Sequence, residues 1–487
     1  MSRPRDVEAT ATAAETRPDE DSRTDPRGPH LFIVLHCDVP LAGGARYRLA
    51  DVDEVIFARG PERSSAREVT ADGRLLTLRI AGTFVSRTHA RLVRAHQSWL
   101  LVDADSRNGT FVNGERVTRA MLADGDVFEI GRTLFMFAAS LASPHAVAGD
   151  RDGPVTGEPL ATLLPALEVS HARLAAVARA TLPILLLGDS GAGKEIAARA
   201  IHDMSGRSGA FVAMNCAAIP RGLLESQLFG HVKGAFSGAV RDEPGYLRAA
   251  HQGTLFLDEL GDLPLASQAA FLRVLEEGAV TPVGTTRAVP VDVRVVAATN
   301  RPLHDLVAQR TFREDLLARL SGFTHRLLPL RERACDLGLL VAALLPRIAG
   351  ENAARVSFTP EAGLALVRHP WPLNIRELRH CLMSAMVIAQ GGPIGATHVE
   401  PALANALDVK SVGPGSHRGS DVPLSSSGSR GSSDESADVL SERLVASLTE
   451  HRGNVAAVAR AFGKAPTQIH RWMKQLNLDP DAFRGEK

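Results

Sequence analysis

Pro183-Ile-Leu-Leu-Leu187, Gly188-Asp-Ser-Gly-Ala-Gly193-Lys194-Glu195 and Ile196-Ala-Ala-Arg-Ala-Ile-His202 follow one another without a break. The apolar run reads as a buried strand, the glycine-rich segment as a tight loop, and the alanine-rich stretch as a helix. Strand, loop and helix in that order bind phosphate. Glycines let backbone N–H groups converge on an anion, the helix N-terminus adds a positive dipole end, and Lys194 supplies a mobile charge. Gly188, Asp189, Ser190, Gly191, Ala192, Gly193, Lys194 and Glu195 are therefore the candidate ATP-binding loop. Glu195 stands where a hydroxyl residue commonly holds Mg2+, so the cation is expected on carboxylates and water elsewhere.

Downstream, Gly253-Thr-Leu-Phe-Leu257-Asp258-Glu259 is an apolar strand ending in two acids. Asp258 at its tip is placed to hold Mg2+ through water, and Glu259 to orient and deprotonate the attacking water. A further strand, Val291 to Ala298, ends in Thr299 and Asn300, polar side chains suited to sensing the terminal phosphate. Strands alternating with helices predict a parallel sheet flanked by helices.

The 487 residues exceed one core, so two to four domains are expected. Lys plus Arg (55) equals Asp plus Glu (55), so any nucleic-acid surface must be local. Cys37, Cys216, Cys335 and Cys381 are widely separated, which favours free buried thiols over a metal or disulfide framework. The polar start contains no signal peptide, and no apolar run reaches membrane-spanning length. A cytoplasmic protein with no membrane association is expected.

From Leu31 the chain shows short apolar runs separated by turns: Leu31–Leu35, Val55–Phe57, Leu75–Leu78, Trp99–Val102 and Val127–Ile130. That spacing predicts a β-sandwich. Within it stand Ala58-Arg59, Ser86-Arg87-Thr88-His89 and Asn108-Gly109-Thr110, and here the segment resembles a forkhead-associated (FHA) domain. The resemblance implies phosphothreonine reading, with Arg59, Ser86 and Arg87 on the phosphate, Asn108 on the peptide backbone and His89 as scaffold. Arg and Ser suit a group with nearly two negative charges and three acceptor oxygens. The alternative is a sandwich of the same framework that binds an unphosphorylated partner. The family's usual glycine before Arg59 is alanine here.

The phosphate loop and acidic strand end place residues 159–406 among the AAA+ ATPases. Glu225-Ser-Gln-Leu-Phe-Gly-His231 and Gly234-Ala-Phe-Ser-Gly-Ala239 narrow this, because they resemble the central domain of bacterial sigma-54-dependent activators. The resemblance implies that Gly234, Ala235, Phe236, Ser237, Gly238 and Ala239 touch the sigma factor, with Ser237 in place of the family's threonine. An aromatic side chain between glycines also suits a partner anchor better than an ordinary surface turn does. Asn215 would restrain Glu259, Arg313 and Arg319 would be arginine fingers acting on a neighbour's nucleotide, and Arg376 would be the lid's sensor. Spacing alone leaves Arg313 and Arg319 readable as solvated charges. The family's usual glycine is Leu373 here, so a different helix entry is expected. Trans-acting fingers require a ring, most simply a hexamer.

Within residues 438–480, Leu440 to Glu450 shows helical spacing, followed by Gly453 to Gly463 and Pro466 to Leu476, which reads as two short helices around a Gly-containing turn with Pro466 near the start of the second. They resemble a Fis-type helix-turn-helix, which implies Thr467, Gln468, His470 and Arg471 on base edges and Lys464 and Lys474 on phosphates. An oligomerisation bundle is the alternative.

The expected organisation is a disordered tail (1–29), an all-β FHA sandwich (30–140), a linker (141–158), an α/β ATPase subdomain (159–330), a helical lid (331–406), a Ser/Gly-rich linker (407–437) and an all-α DNA-binding domain (438–480). The tail also carries Thr16-Arg17-Pro18-Asp19, a candidate phosphothreonine ligand for the chain's own sandwich. The expected function is a sigma-54-dependent regulator that binds upstream DNA and hydrolyses ATP to open the sigma-54 RNA polymerase complex. Its input would be a phosphothreonine protein or Ser/Thr kinase. A sigma-54-independent regulator using ATP only for assembly, and a phosphopeptide adaptor with a vestigial motor, are the alternatives.

Overall fold

The computed structural model describes residues 27–144, 147, 149–152 and 160–408, with a few positions between 447 and 473. The chain divides into two units, one ending at Gly413 and one beginning at Pro414. The N-terminal tail with Thr16 lies outside the described residues, as do Lys464, Thr467, Gln468, His470, Arg471 and Lys474.

The first layer is a sandwich of two six-stranded sheets. One runs β2 (Ala45–Arg48), β1 (Arg27–His36), β12 (Thr133–Ala142), β11 (Val127–Ile130), β8 (Thr110–Val112), β9 (Glu115–Val117). The other runs β10 (Arg119–Leu122), β7 (Ser98–Asp103), β6 (Ala90–Ala95), β3 (Glu54–Gly60), β5 (Gly73–Ala81), β4 (Ser64–Thr70). In strands such as β3 and β5 alternate side chains point inward. Phe57, Phe128 and Phe135 meet at the centre with ring centroids 5.1 to 5.7 Å apart.

Strand β1 departs from that alternation, because it is buried from Leu31 to Cys37 on both faces. Leu31 and Ile33 enter the sandwich core, while Phe32, Val34 and Leu35 enter a second core shared with helices further along the chain. Those helices are α8 (Leu337–Ala349), α9 (Pro360–Arg368), α10 (Asn374–Ala389) and α11 (Ala396–Asp408), the lid. Sandwich and lid are thus fused through one apolar cluster. The backbone seals the seam: Phe358 N donates to Cys37 O at 2.8 Å. A Cβ at Gly338 would lie 2.7 Å from Val34 O, so only glycine lets α8 approach β1 this closely.

Part of the 141–158 segment lies along the sandwich. Strand β12 runs to Ala142, and Arg151 exchanges two backbone hydrogen bonds with Arg46, each 2.8 Å. The buried Arg46 guanidinium reaches on to Leu163 O (3.1 Å) and Glu168 Oε2 (2.9 Å), tying the sandwich to α1 (Pro165–Ala178).

The α/β domain is built on a parallel sheet in the order β14 (Phe211–Asn215), β15 (Thr254–Asp258), β18 (Arg294–Thr299), β13 (Ile184–Leu187), β19 (Phe323–Arg326). Its inner strands are near-continuous apolar runs because helices cover both faces. Those helices include α2 (Lys194–Ser205), α3 (Arg221–Phe229), α4 (Gly245–Ala249), α5 (Leu265–Glu277), α6 (Leu303–Ala308) and α7 (Glu314–Leu320); a short ribbon pairs β16 (Ala279–Val280) with β17 (Val289–Pro290). All four cysteines are buried and free. Among the described residues no helix is long and apolar enough to cross a membrane.

Candidate functional site: the nucleotide cleft and the sandwich loops

Strand β13 delivers the chain to Gly188 beside β18, and α2 leaves at Lys194, so the loop between them sits at the carboxyl end of the sheet. Gly193 caps α2 in a left-handed conformation (φ 106°). Gly191 has φ +75°, and a Cβ there would meet Leu373 O at 2.2 Å, so both conformation and space require glycine. Lys194 is buried, with Nζ donating to Gly188 O (3.0 Å) and Asp189 O (3.3 Å).

Asp258 and Glu259 stand at the end of β15, two strands from β13, and Thr299 and Asn300 at the end of β18 between them. Asp258 Oδ1 accepts from Glu259 N at 3.0 Å, and both side chains are partly exposed. Glu259 occupies a left-handed conformation (φ 51°) that a glutamate rarely adopts, a strain that aims the residue off the strand end. Thr299 is buried, and its hydroxyl accepts from Arg301 N at 3.0 Å; Asn300 is exposed. Asn215 is in register with Asp258. Its side-chain oxygen, however, accepts from Ala217 N (2.9 Å) and Ala218 N (3.2 Å), and among the described residues no hydrogen bond joins it to Glu259. No group of three or more His, Cys, Asp or Glu side chains forms a metal cage among the described residues.

The lid grips the phosphate loop through more groups than the sequence reading named. Arg376 donates to Ser190 Oγ at 3.1 Å. Asn374, fully buried, donates to Ser190 O at 2.9 Å and accepts from Leu330 N at 2.7 Å. Arg333 donates to Ala192 O at 3.0 Å, and Arg331 pairs with Asp189 at 3.0 Å. Burial lowers the Arg333 pKa, and its Nε has no partner among the described residues. Leu373 sits at φ −105°, a conformation open to any residue, so its replacement of glycine introduces no strain. The positive φ falls at Asn374 instead (56°). A signal for Asn374 existed in the sequence, a small polar residue opening an amphipathic helix.

Gly234–Ala239 forms a compact turn closed by Gly234 N to Ala239 O (2.9 Å) and Ala239 N to Phe236 O (3.0 Å). Phe236 is 37% exposed, with its ring edge-on to His231 at 5.0 Å, and Ser237 is exposed. Arg313 immediately precedes α7 and is engaged by Asp315 through two hydrogen bonds, 3.0 and 2.6 Å. The Asp315 side chain and its charge raise the Arg313 pKa. Arg319, exposed on α7, donates to Leu275 O at 3.3 Å.

At the sandwich end, His89 is buried between two loops, accepting from Ser86 N (3.1 Å) and contacting Gly109 O (3.1 Å). Arg59 N donates to Ser86 O at 3.0 Å, so Arg59 and Ser86 share one locus. Arg59 and Arg87 are exposed and, among the described residues, their guanidinium groups have no partner. Asn108 donates to Phe84 O at 2.7 Å. Phe84, Asn108, Glu129 and Arg132 line a cavity of about 330 Å³. Burial, then the neighbouring Glu361, pushes the Glu129 carboxyl up to about 7.

A parallel sheet with a phosphate loop, an acidic strand end and a helical lid on that loop defines an AAA+ ATPase domain, here fused to an FHA sandwich. Family models match accordingly: "Sigma-54 interaction domain" over residues 162–325, "AAA+ ATPase lid domain" over 331–413 and "FHA domain" over 73–131. The anaerobic nitric oxide reductase transcription regulator NorR of Aeromonas hydrophila subsp. hydrophila is 39% identical over 355 residues, 70% of this chain and 67% of NorR. The hydrogenase transcriptional regulatory protein HoxA of Cupriavidus necator is 50% identical over 224 residues, 46% of each chain. The chain belongs to the family of sigma-54-dependent transcriptional activators. It spans about half the length of several of these relatives, 46% of HoxA and 55% of FleR from Pseudomonas aeruginosa. Among solved structures, NtrX from Brucella abortus in complex with ATP is similar, at 31% identity over 66% of this chain and 70% of that one, with a TM-score of 0.46.

Proposed function

We propose that this chain binds upstream DNA, assembles into a ring, hydrolyses ATP and remodels the closed sigma-54 RNA polymerase complex to an open one, under control of phosphothreonine recognition by its FHA domain. The observation that carries the reading is the Gly234–Ala239 turn, which presents a half-exposed Phe236 from the same α/β domain that holds Lys194, Asp258 and Glu259.

Each residue has a chemical role in this scheme. Lys194 leaves the carbonyls of Gly188 and Asp189 for the ATP phosphates. Glu259 orients and deprotonates the attacking water. Asp258, whose carboxylate accepts only the Glu259 N–H among the described residues, suits a hard cation held through water, because Mg2+ favours one or two carboxylates plus phosphate oxygens over a protein cage. At Asp258 the cation would serve to neutralise phosphate charge. Thr299 and Asn300 sense the terminal phosphate, Arg376 carries its state to the lid, and Asn215 restrains Glu259 after leaving the turn it caps. Arg313 and Arg319 complete a neighbouring subunit's site, Arg313 exchanging Asp315 for phosphate.

Arg59, Ser86 and Arg87 hold the phosphothreonine phosphate and Asn108 the peptide backbone, while Lys464, Thr467, Gln468, His470, Arg471 and Lys474 hold DNA. The protein works in the cytoplasm. Mapping bound DNA across the genome tests the scheme: bound sites are expected upstream of promoters with sigma-54 elements. Sites without such elements would favour the sigma-54-independent regulator instead.

A further inference from the structure

The cleft beside the phosphate loop is not walled by the motor alone. Its volume is about 840 Å³, and its lining includes Ala192 and Gly193 of the loop, Arg333 and Leu339 of the lid, and Leu41 and Gly43 of the sandwich. Leu41 lies in a single 3-10 turn, Pro40–Ala42, between β1 and β2; the turn packs on α8, and Leu41 joins the apolar cluster shared with the lid. Gly43 runs beside α8, where a Cβ would make ordinary contact with Leu339 Cδ2 at 3.5 Å. The input domain therefore closes one side of the space that opens from the phosphate loop.

The same turn is tethered to the reader loops. Two residues before it, Asp38 is paired with Arg132 at 2.9 Å. The Arg132 guanidinium lies 4.8 Å from the centroid of the Phe84 ring, and Phe84 O accepts the Asn108 side chain at 2.7 Å. Cys37 N donates to Arg132 O at 3.0 Å, so the two segments also run side by side. Arg132, Phe84 and Asn108 share the 330 Å³ cavity at the sandwich tip.

We infer that the Pro40–Gly43 segment is a wall of the nucleotide site and that the Asp38–Arg132 pair couples this wall to the phosphothreonine pocket. The inference rests on the reading of the larger cavity, beside Ala192 and Gly193, as part of the nucleotide site, and of the smaller one, which shares Asn108 with the proposed reader residues, as the part of the phosphopeptide site beside the phosphate. A phosphopeptide with its phosphate on Arg59, Ser86 and Arg87 and its backbone on Asn108 brings its own carboxylate, three residues after the phosphothreonine, to this neighbouring cavity, where it competes with Asp38 for Arg132. Drawing Arg132 away releases Asp38, loosens the turn against α8 and opens the wall. Phosphothreonine then weakens nucleotide binding, and by linkage nucleotide weakens phosphothreonine binding by the same factor.

The test is calorimetric titration of the full chain with ATPγS, without and with a saturating phosphothreonine peptide carrying aspartate three residues after the phosphothreonine. The peptide is expected to lower ATPγS affinity by about 5-fold or more, within the usual range of such couplings. Asp38→Asn is expected to show the weaker ATPγS affinity without peptide, to bind peptide more tightly than the parent, and to lose the response. Leu41→Ala is expected to weaken ATPγS binding by about 3-fold or more, in line with truncation of an apolar contact. Asp38 is partly exposed, and an unchanged thermal transition shows that Asp38→Asn keeps the fold. If ATPγS binds but both variants match the parent, with or without peptide, the inference is wrong while the nucleotide site stands. If the parent binds no ATPγS, the reading of the cleft itself fails.

Discussion

Glu129 gives a prediction whose sign and size follow from its surroundings. The carboxyl lies on β11, facing Arg132 within the cavity at the sandwich tip and Glu361 of α9 across the seam to the lid. Burial and the Glu361 charge raise its pKa from 4.5 to about 7, although Arg132 pulls the other way. Glu361 itself moves down, held by the Thr359 side chain and its own backbone, so Glu129 is the member of the pair that keeps the proton. Between pH 4.5 and 7 the folded chain binds more protons at this site than the unfolded one, so stability falls as pH rises through that window. The full displacement corresponds to about 3 kcal/mol, which partial solvent access reduces to ~1–2 kcal/mol. Glu129→Gln removes the ionisation while keeping the shape. It is expected to stabilise the chain by about 1–2 kcal/mol at pH 8, and by less than about half of that at pH 5. Urea unfolding followed by tryptophan fluorescence reads this directly, since Trp99 and Trp371 are buried in the sandwich and lid cores. An equal gain at both pH values, or a loss at pH 8, would refute the reasoning.

Lys194→Ala should lose ATP binding, whereas Glu259→Gln should bind ATP and lose turnover, as equilibrium binding beside phosphate release would show. Arg313→Ala should lower the ATPase rate by about 10³–10⁵, as removal of an arginine finger does in related sites. Mixing it with Lys194→Ala subunits, which keep Arg313, should restore part of the rate; no recovery at any ratio would leave the trans role unsupported. At the DNA end, Arg471→Ala should weaken site-specific binding by about 1–3 kcal/mol. Equal weakening on random DNA would make Arg471 a phosphate contact.

The AAA+ and FHA folds were legible because each rests on local patterns: a strand–loop–helix for the first, short alternating strands for the second. The edge strand β4 escaped, since Ser64–Thr70 is almost wholly exposed and has no buried face to mark it. The seam between sandwich and lid escaped for a different reason. Composition divides the sequence into separate domains joined by linkers, yet Leu31–Leu35 is an unbroken apolar run, the pattern of a strand buried on both faces. Read that way, it announces a partner for the outer face of β1, and the lid supplies it. The phosphate-loop residues could be placed from their motif. Arg333 and Asn374 could not be assigned to the loop, because their contacts with it bridge more than 140 positions of the chain and no local pattern encodes that. Asn215 shows the converse: a residue identified by resemblance whose side chain is bonded here to its own turn.

The central claim is that ATP hydrolysis is coupled to sigma-54 through the Gly234–Ala239 turn. It is tested most directly by permanganate footprinting of a sigma-54 promoter with purified holoenzyme, ATP and either the parent chain or Phe236→Ala, with ATPase rates measured in the same samples. The parent should open the promoter only when ATP can be hydrolysed. Phe236→Ala should hydrolyse ATP at near the parental rate and leave the promoter closed, because the ring lies in an outward-facing turn rather than in the nucleotide cleft. Promoter opening by Phe236→Ala at the parental rate, or loss of its ATPase activity together with opening, would contradict the account.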